Sequence, residues 1–219
     1  MIITIKFNDD INHVYDSFEE ILQIDNYNDI TYINCAHNNL YYLPELPDSL
    51  IILHCHGNYL SNLPKLPNTL IDLICYNNNL SNLPELPNLL KDLHCSNNSL
   101  SNLPELPNSL QNLCCLLNNL SNLPELPNSL TLLWCEDNNL SCLPELPNSL
   151  INFNYYNNPV HTYIKTYFDG YTKKYFEYHN NIKKEFVNKI GNWFLDCKYN
   201  PKFLYCKKRL IKEYEELYI

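Results

Sequence analysis

Glycine is almost missing from this chain: 3 residues in 219, at Gly57, Gly170 and Gly191. Phosphate loops and dinucleotide folds need clustered glycines to bring backbone N–H groups onto an anion, so those architectures are excluded. Charge is scarce too. Asp, Glu, Lys and Arg make up 18% of the chain, below the usual quarter or so. Residues 1–160 hold 3 basic side chains against 17 acidic ones, a net of -14. Binding to a phosphate backbone releases counterions only where Lys and Arg neutralise it, so no nucleic-acid partner is expected. No stretch approaches the roughly 20 apolar residues of a membrane helix, so no membrane role is expected either. Met1–Phe7 lacks the charged start, long apolar run and small-residue cleavage site of a secretory signal. The expected location is therefore cytoplasmic and reducing, where the Asn-x-Ser sequons at Asn79, Asn97, Asn119 and Asn139 stay unmodified.

What is present is a period of 20. Leu50, Leu70, Leu90, Leu110, Leu130 and Leu150 share one position, and three residues on come Leu53, Leu73, Leu93, Leu113, Leu133 and Phe153. Two further on stand Cys35, Cys55, Cys75, Cys95, Cys115 and Cys135, with Tyr155 closing the column. Next is an asparagine column from Asn38 to Asn158, then an apolar one from Leu40 to Leu140 and Val160. Every turn closes on Leu-Pro-x-Leu-Pro, from Leu43–Pro47 to Leu143–Pro147. Six full repeats run from Ile30 to Ser149, with a partial seventh over Leu150–Val160.

One such unit cannot bury its apolar face alone, but stacked units bury a continuous ladder. The Leu-x-Cys stretch alternates in and out, which is strand periodicity. Seven stacked strands, near residues 32–35, 52–55 and on to 152–155, predict a parallel sheet roughly 30 Å wide at about 4.8 Å per strand. The asparagine sits where the chain leaves the strand, and its amide can donate and accept at once to groups the turn leaves unpaired. Two prolines per turn exclude a helix on the outer side and predict an extended, polyproline-like course with mild curvature.

The unit L-x-x-L-x-C-x-x-N-x-L resembles the leucine-rich-repeat signature, with Cys at a position usually held by Leu. The 20-residue length and the L-P-x-L-P ending look most like the short repeats of bacterial effector proteins. With its tail, the chain looks similar to uncharacterised repeat proteins of giant DNA viruses. The fold class expected is α/β: a leucine-rich-repeat solenoid with a parallel β-sheet on the concave face, an extended convex side and helical caps. A viral origin implies a host protein as partner and the host cytoplasm as location.

Three segments are expected: an N-terminal cap over 1–29, repeats over 30–160, and a helical C-terminal cap over 161–219. In the first, Ile2–Phe7 alternates like a strand. Ser17 and Glu20 form a capping box opening a helix to about Gln23, with Ile21, Leu22 and Ile24 facing the first repeat. In the third, Tyr163, Tyr167 and Phe168 suggest a short helix, Thr172 caps a long one to about Asp196, and Asn200-Pro201 opens a last one. This segment carries a net of +5. It either meets the acidic body or an acidic partner, or only caps the solenoid.

Several residue sets invite a chemical role. The six periodic cysteines fall on the inward phase and read as buried free thiols. The remaining cysteines do not supply the paired spacing of a zinc site, so no metal or cofactor is assigned. His54 and His56 share the outward face beside Asp72 and Asp92, yet read as polar contacts. The Pro-x-x-Pro in each turn has its leucines in the core, and Glu45, Glu85, Glu105, Glu125 and Glu145 read as a solvated ridge interrupted by Lys65.

The sharpest candidate is the strand face, because the scaffold block SNLPELPNSL recurs nearly verbatim while the outward positions differ. Its centre row is Asn34, His54, Ile74, His94, Cys114, Trp134 and Asn154, and the next is Ala36, His56, Tyr76, Ser96, Leu116, Glu136 and Tyr156. Leu116, Leu117, Leu132 and Trp134 are expected to form an exposed apolar patch, the mark of a partner site. His54, His56, Ile74, Tyr76, His94, Leu116, Leu117, Leu132, Trp134 and Glu136 are thus the predicted partner-binding residues, with no catalytic residue among them.

The first function expected is an intracellular protein-protein interaction module. A substrate-recruiting or structural subunit of a larger assembly is the alternative, and the oligomeric state stays open. The effector resemblance also raises a ubiquitin ligase, whose catalytic part is a large helical domain with a Cys-x-Asp motif. Here about 59 residues follow the repeats, and Cys197 and Cys206 lead into Lys198-Tyr199 and Lys207-Lys208. No enzyme is expected.

Overall fold

A computed structural model describes residues 1–167 together with 174, 176–178, 180, 181 and 184. It divides into two compact units, 1–166 and 167–219. Within the first, nine strands form one sheet. Two belong to the N-terminal segment: β1 (Ile3–Lys6) and β2 (His13–Tyr15). The other seven repeat every 20 residues: β3 (Tyr32–Asn34), β4 (Ile52–His54), β5 (Asp72–Ile74), β6 (Asp92–His94), β7 (Asn112–Cys114), β8 (Leu132–Trp134) and β9 (Asn152–Asn154). The order is β2-β1-β3-β4-β5-β6-β7-β8-β9.

From β3 to β9 every pairing is parallel and in register, so Ile33, Leu53, Leu73, Leu93, Leu113, Leu133 and Phe153 stack on one another. That register follows from the constant repeat length: a slip of one residue would turn the apolar column to the outside. The leucines of this column from Leu53 to Leu133 and the six periodic cysteines are wholly buried. Tyr155 is buried at the end of the cysteine column. Between β3 and β9 the chain is neither helix nor strand outside the sheet, and each Leu-Pro-x-Leu-Pro segment ends in a tight turn, as in Leu70 N–H to Pro67 O, 3.1 Å.

The asparagine column holds adjacent turns together. Asn78 Oδ1 accepts from Leu60 N–H (3.0 Å), and its Nδ2 donates to Cys55 O and Cys75 O (3.1 Å each). Asn58, Asn98, Asn118, Asn138 and Asn158 make the same three bonds one turn apart. A second ladder went unread in the sequence. Thr69 Oγ1 donates toward Asp48 O (2.7 Å) and Leu50 O (2.8 Å) of the preceding turn, and Ser109 Oγ toward Asn88 O (2.8 Å) and Leu90 O (2.6 Å). Leu89, more than half exposed, interrupts it.

A third regularity is conformational. His37, Gly57, Asn77, Asn97, Leu117, Asp137 and Asn157, one per turn, all have φ between 50° and 65°. This left-handed step ends the strand and turns the chain toward the asparagine column. Gly57 meets the requirement freely, and a Cβ there would lie 2.3 Å from His37 Nδ1.

The N-terminal segment departs in part from expectation. β1 pairs antiparallel with β3, and β2, unforeseen, pairs antiparallel with β1 and extends the sheet. The helix α1 (Phe18–Ile21) begins at Ser17, whose Oγ accepts from Glu20 N–H at 3.3 Å. Glu20 Oε2 accepts from Asp16 N–H (3.3 Å), one residue earlier than an ordinary capping box. The helix stops at Ile21, short of Gln23. Ile21 is buried as expected, while Leu22, the C-cap residue about 100° further round, is exposed.

At the other end, α2 (Pro159–Tyr167) buries Val160 and Ile164. Tyr163 and Tyr167, on which the short helix was predicted, are exposed. In the second unit the described residues 174, 176–178, 180, 181 and 184 are helical. The rest of the expected long helix, and the last one from Asn200, lie outside the described residues.

Candidate functional site

The outward rows of the sheet collect two distinct groups of side chains. The first lies on β3, β4 and β5. Tyr32 meets His54 edge to face, with centroids 5.4 Å apart. His54 lies 6.4 Å from His56, and His56 stacks on Tyr76 at 4.4 Å and 18°. His37, on the left-handed step of the turn before, closes on His56 at 5.0 Å. Burial first, then His37 and His54, push the His56 imidazole below its ordinary pKa of 6.5. His54 Nε2 is 3.8 Å from Asp72 Oδ2, an ion-pair distance when His54 is protonated but too long for a hydrogen bond.

The second group lies on β7 and β8 and the turns after them. Trp134 is 42% exposed and Leu117 47%, with Leu116, Leu132 and Glu136 half-buried around them. Cys114 is the correction here. Its phase points outward, yet it is only 4% exposed, because a short thiol lies between the wider rings of its register partners His94 and Trp134. Burial, then Glu136 and Asp92, raise that thiol to about 11. The inward cysteines are raised further, Cys35 and Cys135 to about 12, chiefly by burial. All are protonated and inert near neutrality.

The ten predicted residues fall in two groups linked by the centre row. Ile74 and His94 continue the centre row from His54, and His56 and Tyr76 flank it as a stacked pair. Leu116, Leu117, Leu132, Trp134 and Glu136 gather two strands further on, past Ser96. Tyr32 and His37 join the first group without having been foreseen. The signal for Tyr32 was available, since it holds the row of Ile52 and Asp72. Among the described residues no three or more His, Cys, Asp or Glu side chains come together as a metal-ion set. Nor is any helix of them long and apolar enough to cross a membrane.

In-register parallel strands, buried leucine columns and an asparagine ladder at 20-residue spacing define the class: this chain is a leucine-rich-repeat solenoid. No family model and no curated protein matches it. Among solved structures it is similar to YopM from Yersinia enterocolitica WA-314, at 43% identity over 58% of this chain and 29% of that one, with a TM-score of 0.58. The leucine-rich-repeat domain of a Shigella effector shares 37% identity over 58% of this chain and 59% of that one, at 0.56. YopM from Yersinia pestis, described as a leucine-rich effector protein, shares 36% over 58% and 43%, at 0.53. The chain thus spans less than two thirds of the length of each.

Proposed function

We propose that this chain is a protein-interaction module whose strand face holds a protein partner. The observation that carries the reading is the contrast between fixed and varied columns. Leucine, cysteine, asparagine and proline columns repeat as scaffold, while the outward rows change from turn to turn and expose Trp134 and Leu117. Exposed apolar groups on a rigid sheet fit partner recognition, with Trp a frequent anchor. The effector neighbours support the same reading, and with it a protein partner met inside a host cell. The proposed setting is the cytoplasm of a host cell, with a giant DNA virus as the proposed source.

Photo-crosslinking tests it. A crosslinking residue placed at Trp134 should capture partner protein from host-cell extract, while one at Glu85 on the opposite ridge should not. For a captured partner, Trp134→Ala should weaken binding by more than about 2 kcal/mol. Equal capture from Glu85, with Trp134→Ala unchanged, would refute the strand face. Binding rather than catalysis is the proposed mode of action, since no Cys-x-Asp pattern follows the repeats. Discharge of ubiquitin from a charged conjugating enzyme by the purified chain would overturn that part.

A further inference from the structure

Carboxylates line the outward rows of the strand face, with Lys91 as an exposed cation in the column just before them, next to Asp92 in the chain. Across those rows on β3 to β9, Asp72, Asp92 and Glu136 appear, and Lys and Arg appear in none of them. Asp72 and Asp92 are register partners on adjacent parallel strands, about 4.8 Å apart along the ladder. Like charges facing each other across strands destabilise a sheet. Little offsets this cost. Asp92 accepts from Asn112 Nδ2. Asp72 has His54 at 3.8 Å, and its Oδ1 is shielded from water with no donor among the described residues. The fold itself does not ask for acids in this row, because the same position is Ile52, Asn112, Leu132 and Asn152 in other turns.

We propose that the Asp72–Asp92 pair seats a Lys or Arg side chain of an extended partner segment, which runs across the strands and places an apolar side chain on Leu132 and Trp134. This rests on the strand-face reading and specifies its partner. The charge is complementary, and the surroundings suit the stem of a long cationic side chain: Ile52 and Ile74 stand beside the pair, and apolar surface covers such methylenes well. The spacing is set by the sheet. From between β5 and β6 to β8 is two and a half strand intervals, about 12 Å. An extended chain covers that in about four residues, and residues four apart point to the same side. The partner sequence therefore reads as a basic residue and a large apolar one four positions apart, in either order. A metal ion is a poorer occupant, since no third ligand of the His, Cys, Asp or Glu kind joins the pair among the described residues.

The test selects random displayed peptides of roughly 12 residues, long enough to cross a sheet about 30 Å wide, on the immobilised full chain. Parallel selections use Asp72→Asn/Asp92→Asn and Trp134→Ala. The unmodified chain should enrich peptides with Lys or Arg four positions from an aromatic or aliphatic residue, on either side of it. The double Asn variant should bind them at least tenfold more weakly while melting at the same temperature or higher, since Asn already occupies this row. Replacing the peptide's basic residue by Glu should abolish binding to the unmodified chain, a result that needs no variant to fold. Enriched peptides without a basic residue, or basic ones held equally by the Asn variant, would overturn the cation seat. If such peptides are still lost on Trp134→Ala, the strand face stands and only the seat falls. If none of these changes affects binding, or no peptide enriches, both fall.

Discussion

Replacing Asn78 by Ala should destabilise the solenoid by about 2–5 kcal/mol. The figure follows from what its amide holds. Leu60 N–H has Asn78 Oδ1 as its acceptor at 3.0 Å, and losing it leaves a buried donor unpaired at roughly 1–3 kcal/mol. The two carbonyls lose less. Cys55 O keeps Asn58 Nδ2 at 2.9 Å, and Cys75 O keeps Asn98 Nδ2 at 3.1 Å. Each therefore gives up one of two donors, about 0.5–1 kcal/mol apiece. Asn78→Asp should be worse than Ala despite its near-identical shape. It keeps the acceptor for Leu60 but turns a second, charged oxygen toward two carbonyl oxygens. That excess should shrink under acid, where a protonated carboxyl can donate. Denaturant unfolding of the full chain reads all three variants, with exposed Asn79→Ala as control at within about 0.5 kcal/mol of the unmodified chain. An Asn78→Ala cost no greater than that of Asn79→Ala, or an Asp variant milder than the Ala variant at pH 7, would refute the role given to the Asn78 amide.

Three further outcomes follow from other parts of the scaffold. Leu117 adopts φ 55° where the other turns place Asn, Asp, Gly or His; Leu117→Asn should raise stability by about 1 kcal/mol, read as a higher melting temperature. Gly57→Ala should lower it by more than about 1 kcal/mol, because the left-handed backbone and the contact with His37 both oppose a Cβ. It should also displace His37 from His56, visible as shifted imidazole resonances. The buried thiols make stability fall in alkali. Cys35 and Cys135 ionise at about 12 when folded against 9.0 for an exposed thiol. Above pH 9 the unfolded chain sheds protons that the folded chain keeps. The full contribution is present below pH 9 and is lost as pH rises toward 12, at about 1.4 kcal/mol per pH unit for each thiol. Denaturation midpoints under reducing conditions at pH 8 and pH 10 should show the decline, and a flat profile would contradict the burial of the column.

A strict 20-residue period determines a great deal by itself. It says that Leu53 stacks on Leu73, that Cys55 stacks on Cys75, and that Asn78 lies where a turn needs both a donor and an acceptor. Chemistry that repeats every turn must be satisfied in the same way every turn. Repetition also marks the outward rows by contrast, as the positions free to vary. Only the tertiary structure decided what those rows become. Cys114 is outward by phase and buried in fact, because exposure depends on the width of the neighbouring rings and not on the side chain's own direction. His37 reaches His56 through a left-handed step, and hydrophobic patterning carries no information on the sign of φ. The pairing of Asp72 with Asp92 needed both: the sequence put them 20 apart, and the sheet turned that interval into a single strand spacing.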